Sequence, residues 1–113
     1  MMSPEKIVQK QLDAYNNRDI DTFIAIHHPK VQLYSFSETV PFAKGREQIK
    51  TIYSEIFKNS PQLHSKLIHR IVLDNKVIDH EEITGRKGIE VLEFIAIYEV
   101  NDTYIIKAHF IRK

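Results

Sequence analysis

The chain has 113 residues, of which 42% are hydrophobic and 27% charged, and 16 basic against 15 acidic residues give a net charge of +1. This length and composition predict one globular domain over residues 1–113. Charges of both signs are mixed along the chain, so nucleic acid is not an expected partner. Neither a signal peptide nor an apolar run of the roughly 20 residues that a membrane span needs is expected. The lack of cysteine excludes disulfides and thiol catalysis, and it favours a cytoplasmic protein.

The N-terminal half predicts three amphipathic helices and one short strand. Ser3 and Asp19 are suitable N-caps, and Pro4 suits the first position of a helix. Apolar side chains recur with helical spacing after each predicted helix start. In chain order, the predicted segments are a helix over residues 4–17, a helix from Asp19 to Pro29, a strand over 31–36, a loop over 37–45 and a helix over 46–59.

The C-terminal half alternates between apolar and polar residues, which is typical of strands. The predicted strands cover residues 63–73, 77–84, 89–100 and 103–112. Asp74 and Asn75, a Gly-Arg-Lys-Gly segment and the pair Asn101 and Asp102 mark the turns between them. Three helices followed by such a meander predict an α+β domain in which the helices pack on one face of an antiparallel sheet.

Tight turns between the last three strands would place Asp79 and His109 on either side of Phe94. One face of the sheet then carries Val77, Asp79, Glu81, Leu92, Phe94, Ala96, Tyr98, Lys107 and His109. The other face carries Ile78, His80, Glu82, Val91, Glu93, Ile95, Ile97, Ile106, Ala108 and Phe110. Both faces are substantially apolar, so we expect a homodimer packed through the second face, which the helices would leave uncovered. A slip of one residue at either turn would reverse part of this assignment.

The order and spacing of four short motifs resemble those of the nuclear transport factor 2-like superfamily, in particular its SnoaL-like and steroid delta-isomerase-like small proteins. The motifs are Ala14-Tyr15-Asn16-Asn17-Arg18-Asp19-Ile20-Asp21, Gly45-Arg46-Glu47-Gln48-Ile49, Val77-Ile78-Asp79-His80-Glu81 and Ile97-Tyr98-Glu99-Val100-Asn101-Asp102. The resemblance implies a cone-shaped (cystatin-like) fold, in which three N-terminal helices pack on a curved antiparallel sheet, with a pocket at its open end and a dimer through the outer face of the sheet. The same scaffold serves isomerases, cyclases, dehydratases, hydrolases and proteins without catalysis, so the fold does not fix the function.

The catalytic residues of ketosteroid isomerases are not retained. Those enzymes use an Asp base together with a Tyr and a protonated Asp that form an oxyanion hole. In this chain the Tyr position falls on Gln11, the base position on Leu33 and the second Asp near Ala96. Steroid isomerisation by that mechanism is therefore not expected.

Charged residues inside apolar strands predict a pocket with a polar floor, because ionised groups are rarely buried without a partner or a purpose. Asp79 and His109 are the candidate acid–base pair, with Tyr34 or Tyr98 as hydrogen-bond donor. The alternative is that Asp79 bonds to a helix or backbone group and that His109 only lines the pocket. The candidate ligand-binding residues are Tyr34, Glu81, Phe94, Tyr98 and Lys107. A salt bridge between Glu81 and Lys107 near the rim is the alternative for those two residues.

His80 and Glu93 are expected to form a cross-strand pair at the dimer surface, or to be the pocket base if the two faces are exchanged. The spacing of the six histidines does not match a metal motif, so neither a metal nor another cofactor is expected. These observations predict a protein that binds a small apolar or cyclic ligand. It would be an isomerase- or hydratase-type acid–base enzyme or, alternatively, a non-catalytic binding or assembly module. A pocket of about 300 Å³ or more with free polar groups favours the enzyme, whereas a filled cone favours the module.

Overall fold

The computed structural model describes residues 2–113, which form three helices and six strands. In chain order these are α1 (Pro4–Asn16), α2 (Ile20–Ala25), β1 (His27–Ser35), β2 (Ala43–Lys44), α3 (Gly45–Asn59), β3 (His64–Leu73), β4 (Lys76–Thr84), β5 (Val91–Val100) and β6 (Ile105–Arg112). The strands form one sheet in the order β2-β1-β6-β5-β4-β3. The predicted α+β class, with helices packed on a sheet, is confirmed.

The sheet is mixed, so the prediction of a fully antiparallel sheet is wrong in one place. β1 pairs with β6 in parallel, while the other neighbouring strands are antiparallel. A parallel pair cannot be joined by a tight turn, and here residues 36–104 separate the two strands. The sequence offers no local signal for such a pairing.

Capping side chains start the first two helices at the predicted positions. The Ser3 hydroxyl accepts a hydrogen bond from the backbone N–H of Lys6 at 3.3 Å, and the Asp19 carboxylate accepts one from Thr22 at 3.2 Å. The second helix ends at Ala25 rather than at Pro29, which lies inside β1. Pro29 has no N–H to give to the sheet, and the β1–β6 register shifts in the same stretch.

The core lies between the helices and the inner face of the sheet. α1 packs on β3, β4 and β5, and α3 packs on β1 and β2. Both helices bury their apolar stripes, as amphipathic helices do. The largest fully buried side chains include Ile7, Val8, Phe23, Leu33, Ile49, Leu63, Val77 and Ile105.

The β4–β5 register differs from the prediction by two residues, which leaves the two faces unchanged. Thr84 pairs with Val91, so the turn is longer than predicted, and Glu81 lies opposite Phe94. Asp79 pairs with Ala96. Because side chains alternate with a period of two, an even shift keeps each residue on its predicted face.

The β5–β6 register differs by three residues, which exchanges the faces of most of β6. Val100 pairs with Ile105, and a bulge then brings Glu99 opposite Lys107. The four-residue turn shifts the register by two and the bulge adds one more residue, so the total is odd. Lys107 and His109 therefore lie on the outer face, and the predicted placement of both was wrong. Ala108 and Phe110, predicted outside, belong to or pack against the core.

The outer face of the sheet is partly apolar. It carries Ile78, Ile95, Ile97 and Ile111, which the strand pairing brings together across β4, β5 and β6. The His80 imidazole and the Glu93 carboxylate lie 2.7 Å apart on this face, so the predicted pair forms. The contact is diagonal, because His80 is directly opposite Ile95.

Within residues 2–113, no helix combines the length and the apolar character that crossing a membrane would require.

Candidate functional site

A cavity of about 360 Å³ lies between the helices and the inner face of the sheet. Its walls are mainly apolar and aromatic, with a smaller set of polar groups, as in small-molecule sites generally. The apolar and aromatic lining consists of Tyr15, Phe23, Leu33, Phe42, Ile52, Tyr53, Ile56, Ile83, Leu92, Phe94, Tyr98 and Phe110. The polar lining consists of Gln11, His27, Ser35, Ser65, Glu81, Arg86 and Arg112.

Glu81 is the buried acid of the cavity. β4 directs its side chain inward, where only 3% of the residue is exposed. The Ser65 hydroxyl donates a hydrogen bond of 2.7 Å to its Oε1 atom. The pKa of Glu81 is raised to about 7, mainly by desolvation and to a smaller extent by the charge of Asp79, while the Ser65 hydrogen bond and the charge of Arg70 act in the opposite direction. Near neutral pH the carboxyl group can therefore both accept and return a proton.

A clamp from α1 fixes the serine that holds this carboxyl group. The Asn16 side chain accepts a hydrogen bond from the Ser65 backbone N–H at 2.7 Å and donates one to the Ser65 carbonyl at 3.0 Å. This pair of bonds ties the end of α1 to the start of β3. Ser65 is thereby held in the position from which its hydroxyl reaches Glu81.

Asp79 lies two residues away on the same face but is neutralised by Arg70. The guanidinium group donates two hydrogen bonds to the carboxylate, at 2.7 and 2.9 Å, and a third to the Gln9 side chain at 2.8 Å. Only 1% of the Asp79 side chain is exposed, and it does not line the cavity. Asp79 therefore forms a structural ion pair with Arg70 in the protein interior, next to the cavity but not facing it.

Three phenols line the cavity near Glu81. Burial raises the pKa of Tyr53 to about 12 and raises those of Tyr15 and Tyr98 as well. All three therefore remain protonated and can donate a hydrogen bond. None of the side-chain hydrogen bonds within residues 2–113 involves these three hydroxyls, and no polar side-chain atom there is both buried and unpaired. The hydroxyls are therefore accessible from the cavity that the tyrosines line.

His27 is a neutral, oriented imidazole in the same wall. Its Nδ1 atom lies 2.7 Å from the Phe23 carbonyl oxygen, so Nδ1 carries the proton and Nε2 is the acceptor. Burial lowers the pKa of His27 to about 4. The ring thus offers a hydrogen-bond acceptor and is uncharged at neutral pH.

The structure brings some of the predicted site residues together and separates others. Glu81, Phe94 and Tyr98 line the cavity, whereas Tyr34, Lys107 and His109 do not. On the outer face, His109 stacks on Tyr34 with ring centroids 4.8 Å apart and planes at 10°, and the Lys107 ammonium lies 5.8 Å from the same ring. The expected proximity of Asp79 and His109 and the salt bridge between Glu81 and Lys107 were therefore wrong. The cause is the bulge in β6.

Sequence reasoning missed several residues of the cavity. Ser65, His27, Arg86 and Arg112 were not candidates. Arg86 stands in a Gly-Arg-Lys-Gly turn and Arg112 near the chain end, where cations usually face water. The alternation of β3 does place Ser65 on the inner face, and that pattern was the available signal. Among residues 2–113 there is no cluster of three or more metal-ligating side chains.

The three positions that correspond to the ketosteroid isomerase residues contain no acid or base. Gln11 and Leu33 line the cavity, and Ala96 is fully buried in β5. The acid of this cavity is Glu81, which occupies none of these three positions.

Solved structures with the same fold include several proteins of low sequence identity. An uncharacterised cystatin-fold protein from Novosphingobium aromaticivorans superimposes with a TM-score of 0.90 at 19% identity, over 99% of this chain and 100% of that one. A putative ketosteroid isomerase from Kribbella flavida gives 0.81 at 17% identity, over 97% and 77% of the two chains. A putative SnoaL-like polyketide cyclase from Jannaschia gives 0.79 at 14% identity, over 97% and 85%. At these identities the likeness shows the fold alone.

A search of curated proteins finds no match to this sequence. The SnoaL-like domain family, in contrast, matches residues 8–108, which is most of the chain. That stretch contains all six strands except the end of β6, and it contains Glu81 with the serine that binds it. The chain belongs to the family of SnoaL-like domains.

Proposed function

We propose that this protein is a cofactor-independent acid–base enzyme of the isomerase or hydratase type, which acts on a small apolar or cyclic compound. The observation that carries the proposal is Glu81, a buried carboxyl group that lines a cavity of about 360 Å³ and has a pKa raised to about 7. A base with a pKa near the operating pH is well matched to proton transfer. Strongly shifted acids in cavities are candidates for function on physical grounds.

The proposed step is a proton transfer at a carbon next to a carbonyl group. The Glu81 carboxylate takes the proton, and the electron pair of the C–H bond moves into an enolate. A tyrosine hydroxyl, of which Tyr98 is the predicted one, donates a hydrogen bond to the enolate oxygen. In a β,γ-unsaturated ketone the proton then returns from Glu81 to the γ-carbon while the carbonyl group reforms and the C=C bond moves into conjugation, so the net reaction is an isomerisation without oxidant or cofactor.

The size and lining of the cavity support the enzyme over a non-catalytic module. The cavity exceeds the volume of about 300 Å³ expected of a small-molecule site, and its polar groups include the unpaired phenols of Tyr15, Tyr53 and Tyr98. Two structural neighbours are described as a putative ketosteroid isomerase and a putative polyketide cyclase. Those descriptions agree with a cyclic substrate.

The test uses two simple probes of carbon acidity. The first is exchange of the α-protons of cyclohexanone in D₂O, followed by proton NMR, and the second is conversion of 3-cyclohexen-1-one to its conjugated isomer, followed by absorbance. We expect the wild type to accelerate at least one reaction. Glu81→Gln should lower that acceleration by about 100-fold or more, because it removes the base but keeps an acceptor for Ser65.

Glu82→Gln is the matched control, because Glu82 is the neighbouring residue of β4 and alternation directs it to the opposite face. Its rate should equal that of the wild type. A Glu81→Gln variant that keeps the full rate, or a wild type without any acceleration, would contradict the proposal and favour the non-catalytic binding module.

We also propose that two copies pack through the outer face of the sheet. Ile95 and Ile97 lie at the centre of that face on β5, and the helices pack on the opposite face. The His80–Glu93 pair and Lys107 surround them with groups of both signs, an arrangement that a two-fold symmetric contact can match.

A further inference from the structure

Two guanidinium groups line the cavity that contains Glu81. Arg86 follows Gly85 in the β4–β5 turn, and Arg112 is the last residue of β6. Arg112 pairs with Phe94, which pairs in turn with Glu81. The Cα atoms of Arg112 and Glu81 are therefore two strand spacings, or roughly 10 Å, apart across the sheet.

Neither arginine has a carboxylate partner among residues 2–113. The ion pairs of this part of the chain involve Arg70, Lys76, His80 and Lys113 as the cationic members. In contrast, the guanidinium group of Arg70 is paired, because it donates two hydrogen bonds to the Asp79 carboxylate. Arg86 is half-buried and Arg112 exposed, so the two uncompensated charges lie where the cavity opens.

Arg86 and Arg112 act on two tyrosines of the cavity wall on which Glu81 acts as well. The pKa of Tyr15 and that of Tyr53 are raised by burial, while Arg86 and Arg112 lower both. Among the groups that shift the pKa of Glu81, the only cation is Arg70. The cavity thus has a buried acid at one end, two cations at the other, and aromatic walls between them.

Building on the proposed acid–base function, we propose that the substrate is a small cyclic ketone that carries a carboxylate. The ring would lie between the aromatic walls with its ketone toward Glu81, and the carboxylate would be bound by Arg86 and Arg112. A guanidinium group is planar and donates paired hydrogen bonds to a carboxylate, which makes the match geometric as well as electrostatic. If the ligand bound the other way round, its carboxylate would lie next to the Glu81 carboxylate and be repelled. The two ends of the cavity therefore also fix the orientation of the ligand.

The test compares carboxylates with carboxamides of the same shape. Binding of cyclohexanecarboxylate, 4-oxocyclohexanecarboxylate and 1-naphthoate is measured by isothermal titration calorimetry against the matching carboxamides. We expect at least one carboxylate to bind about tenfold more tightly than its amide, and the preference to weaken as salt is added. In the double variant Arg86→Gln/Arg112→Gln the preference should vanish while the affinity of the amide is unchanged.

The control is Lys87→Gln/Lys113→Gln, which removes two positive charges from the adjacent positions. Neither lysine lines the cavity, so this variant should keep the preference for carboxylate. The inference is overturned if no carboxylate binds more tightly than its amide, or if the preference survives the loss of both arginines.

The two proposals fail in different experiments. Carboxylate preference is a binding measurement that Glu81→Gln should leave in place, whereas proton exchange depends on Glu81. Exchange that needs Glu81 without any carboxylate preference overturns only the anionic substrate. A carboxylate preference that needs both arginines supports the anion site whatever the exchange assay shows. Unchanged exchange in Glu81→Gln would overturn the acid–base function but not the anion site.

Discussion

Asp79 and Glu81 show how two acids on one strand acquire different properties. Both are buried on the inner face of β4. Arg70 binds Asp79 through two hydrogen bonds, whereas Glu81 receives one from a neutral hydroxyl. An ionised group in an apolar surrounding needs a partner of opposite charge. Asp79 has such a partner in Arg70 and forms a structural ion pair. The acid without one has its pKa raised to about 7.

The raised pKa of Glu81 predicts how stability depends on pH. The ordinary value is 4.5 and the folded value about 7, so the folded protein holds this proton more tightly than the unfolded chain does. The corresponding stability is fully present below about pH 4.5 and is lost as the pH rises through 7. Glu81→Gln does not titrate there. Its free energy of unfolding, relative to wild type, should rise by roughly 3 kcal/mol over that range.

Chemical denaturation of both proteins between pH 4 and 8 measures this difference. His27 has a lowered pKa of about 4, so it removes stability as the pH falls below its ordinary 6.5, but it does so in both proteins and cancels. A difference that stays constant with pH, or shrinks as the pH rises, would show that Glu81 is not protonated in the folded state near neutrality.

The Arg70–Asp79 pair predicts a large loss of stability when one partner is removed. Arg70→Met leaves a carboxylate that is 1% exposed without its counterion, which should lower the free energy of unfolding by about 3–5 kcal/mol. Urea denaturation measures it. The double variant Arg70→Met/Asp79→Leu should recover much of the loss, because it replaces the pair with apolar groups. An Arg70→Met single variant as stable as the wild type would contradict this assignment.

At the scale of elements, bulges decide which side chains meet. The β3–β4 pairing shifts between Leu67 and His69, which places Leu67 and Arg70 on the same face although they are three residues apart. Without that shift Arg70 would point away from Asp79. The bulge in β6 has the same consequence for Lys107, which it moves to the outer face.

The β4–β5 turn gives a test of backbone geometry with an internal control. Gly85 and Gly88 both have positive φ, at +75° and +84°. A Cβ atom at Gly85 would lie 2.1 Å from the Gln62 carbonyl oxygen, whereas one at Gly88 meets nothing within 4 Å. Gly88→Ala should therefore show only the conformational strain of about 1–2 kcal/mol. Gly85→Ala should lower the melting temperature considerably more, and equal effects would show that the contact with Gln62 is relaxed at little cost.

At the scale of the whole molecule, the sheet has one face covered by helices and one that is not. The uncovered face carries Ile95 and Ile97 on β5, in the middle of the larger antiparallel part of the sheet. Apolar side chains at the centre of a face and charged groups around them resemble the arrangement of a protein interface. The proposed dimer would bury this region.

The dimer prediction is tested by introducing a charge. Ile97→Glu, or Ile95→Glu, should shift the protein from dimer mass to monomer mass in sedimentation or light scattering, because a buried unpaired carboxylate opposes association. Val40→Glu is the control, since Val40 is 75% exposed in the loop between β1 and β2. An Ile97→Glu variant that remains dimeric would place the interface elsewhere.

The sequence by itself determined the class of fold and part of the site. Helix starts follow from capping residues such as Ser3 and Asp19, and helix faces follow from apolar spacing, both of which act between residues close in the chain. Alternation likewise placed Glu81, Phe94 and Tyr98 on the face that lines the cavity, because the β4–β5 register differed by an even number of residues.

Only the tertiary structure decided which charges became paired and which stayed open to the cavity. The parallel contact between β1 and β6, the bulges that turn Arg70 inward and His109 outward, and the approach of Arg86 and Arg112 to the aromatic walls depend on residues distant in the chain. A period-two pattern cannot reveal a single inserted residue, yet one such residue exchanges the two faces of a strand. That is the physical reason why the expected pair of Asp79 and His109 does not form, and why Glu81 is left as the acid of the cavity.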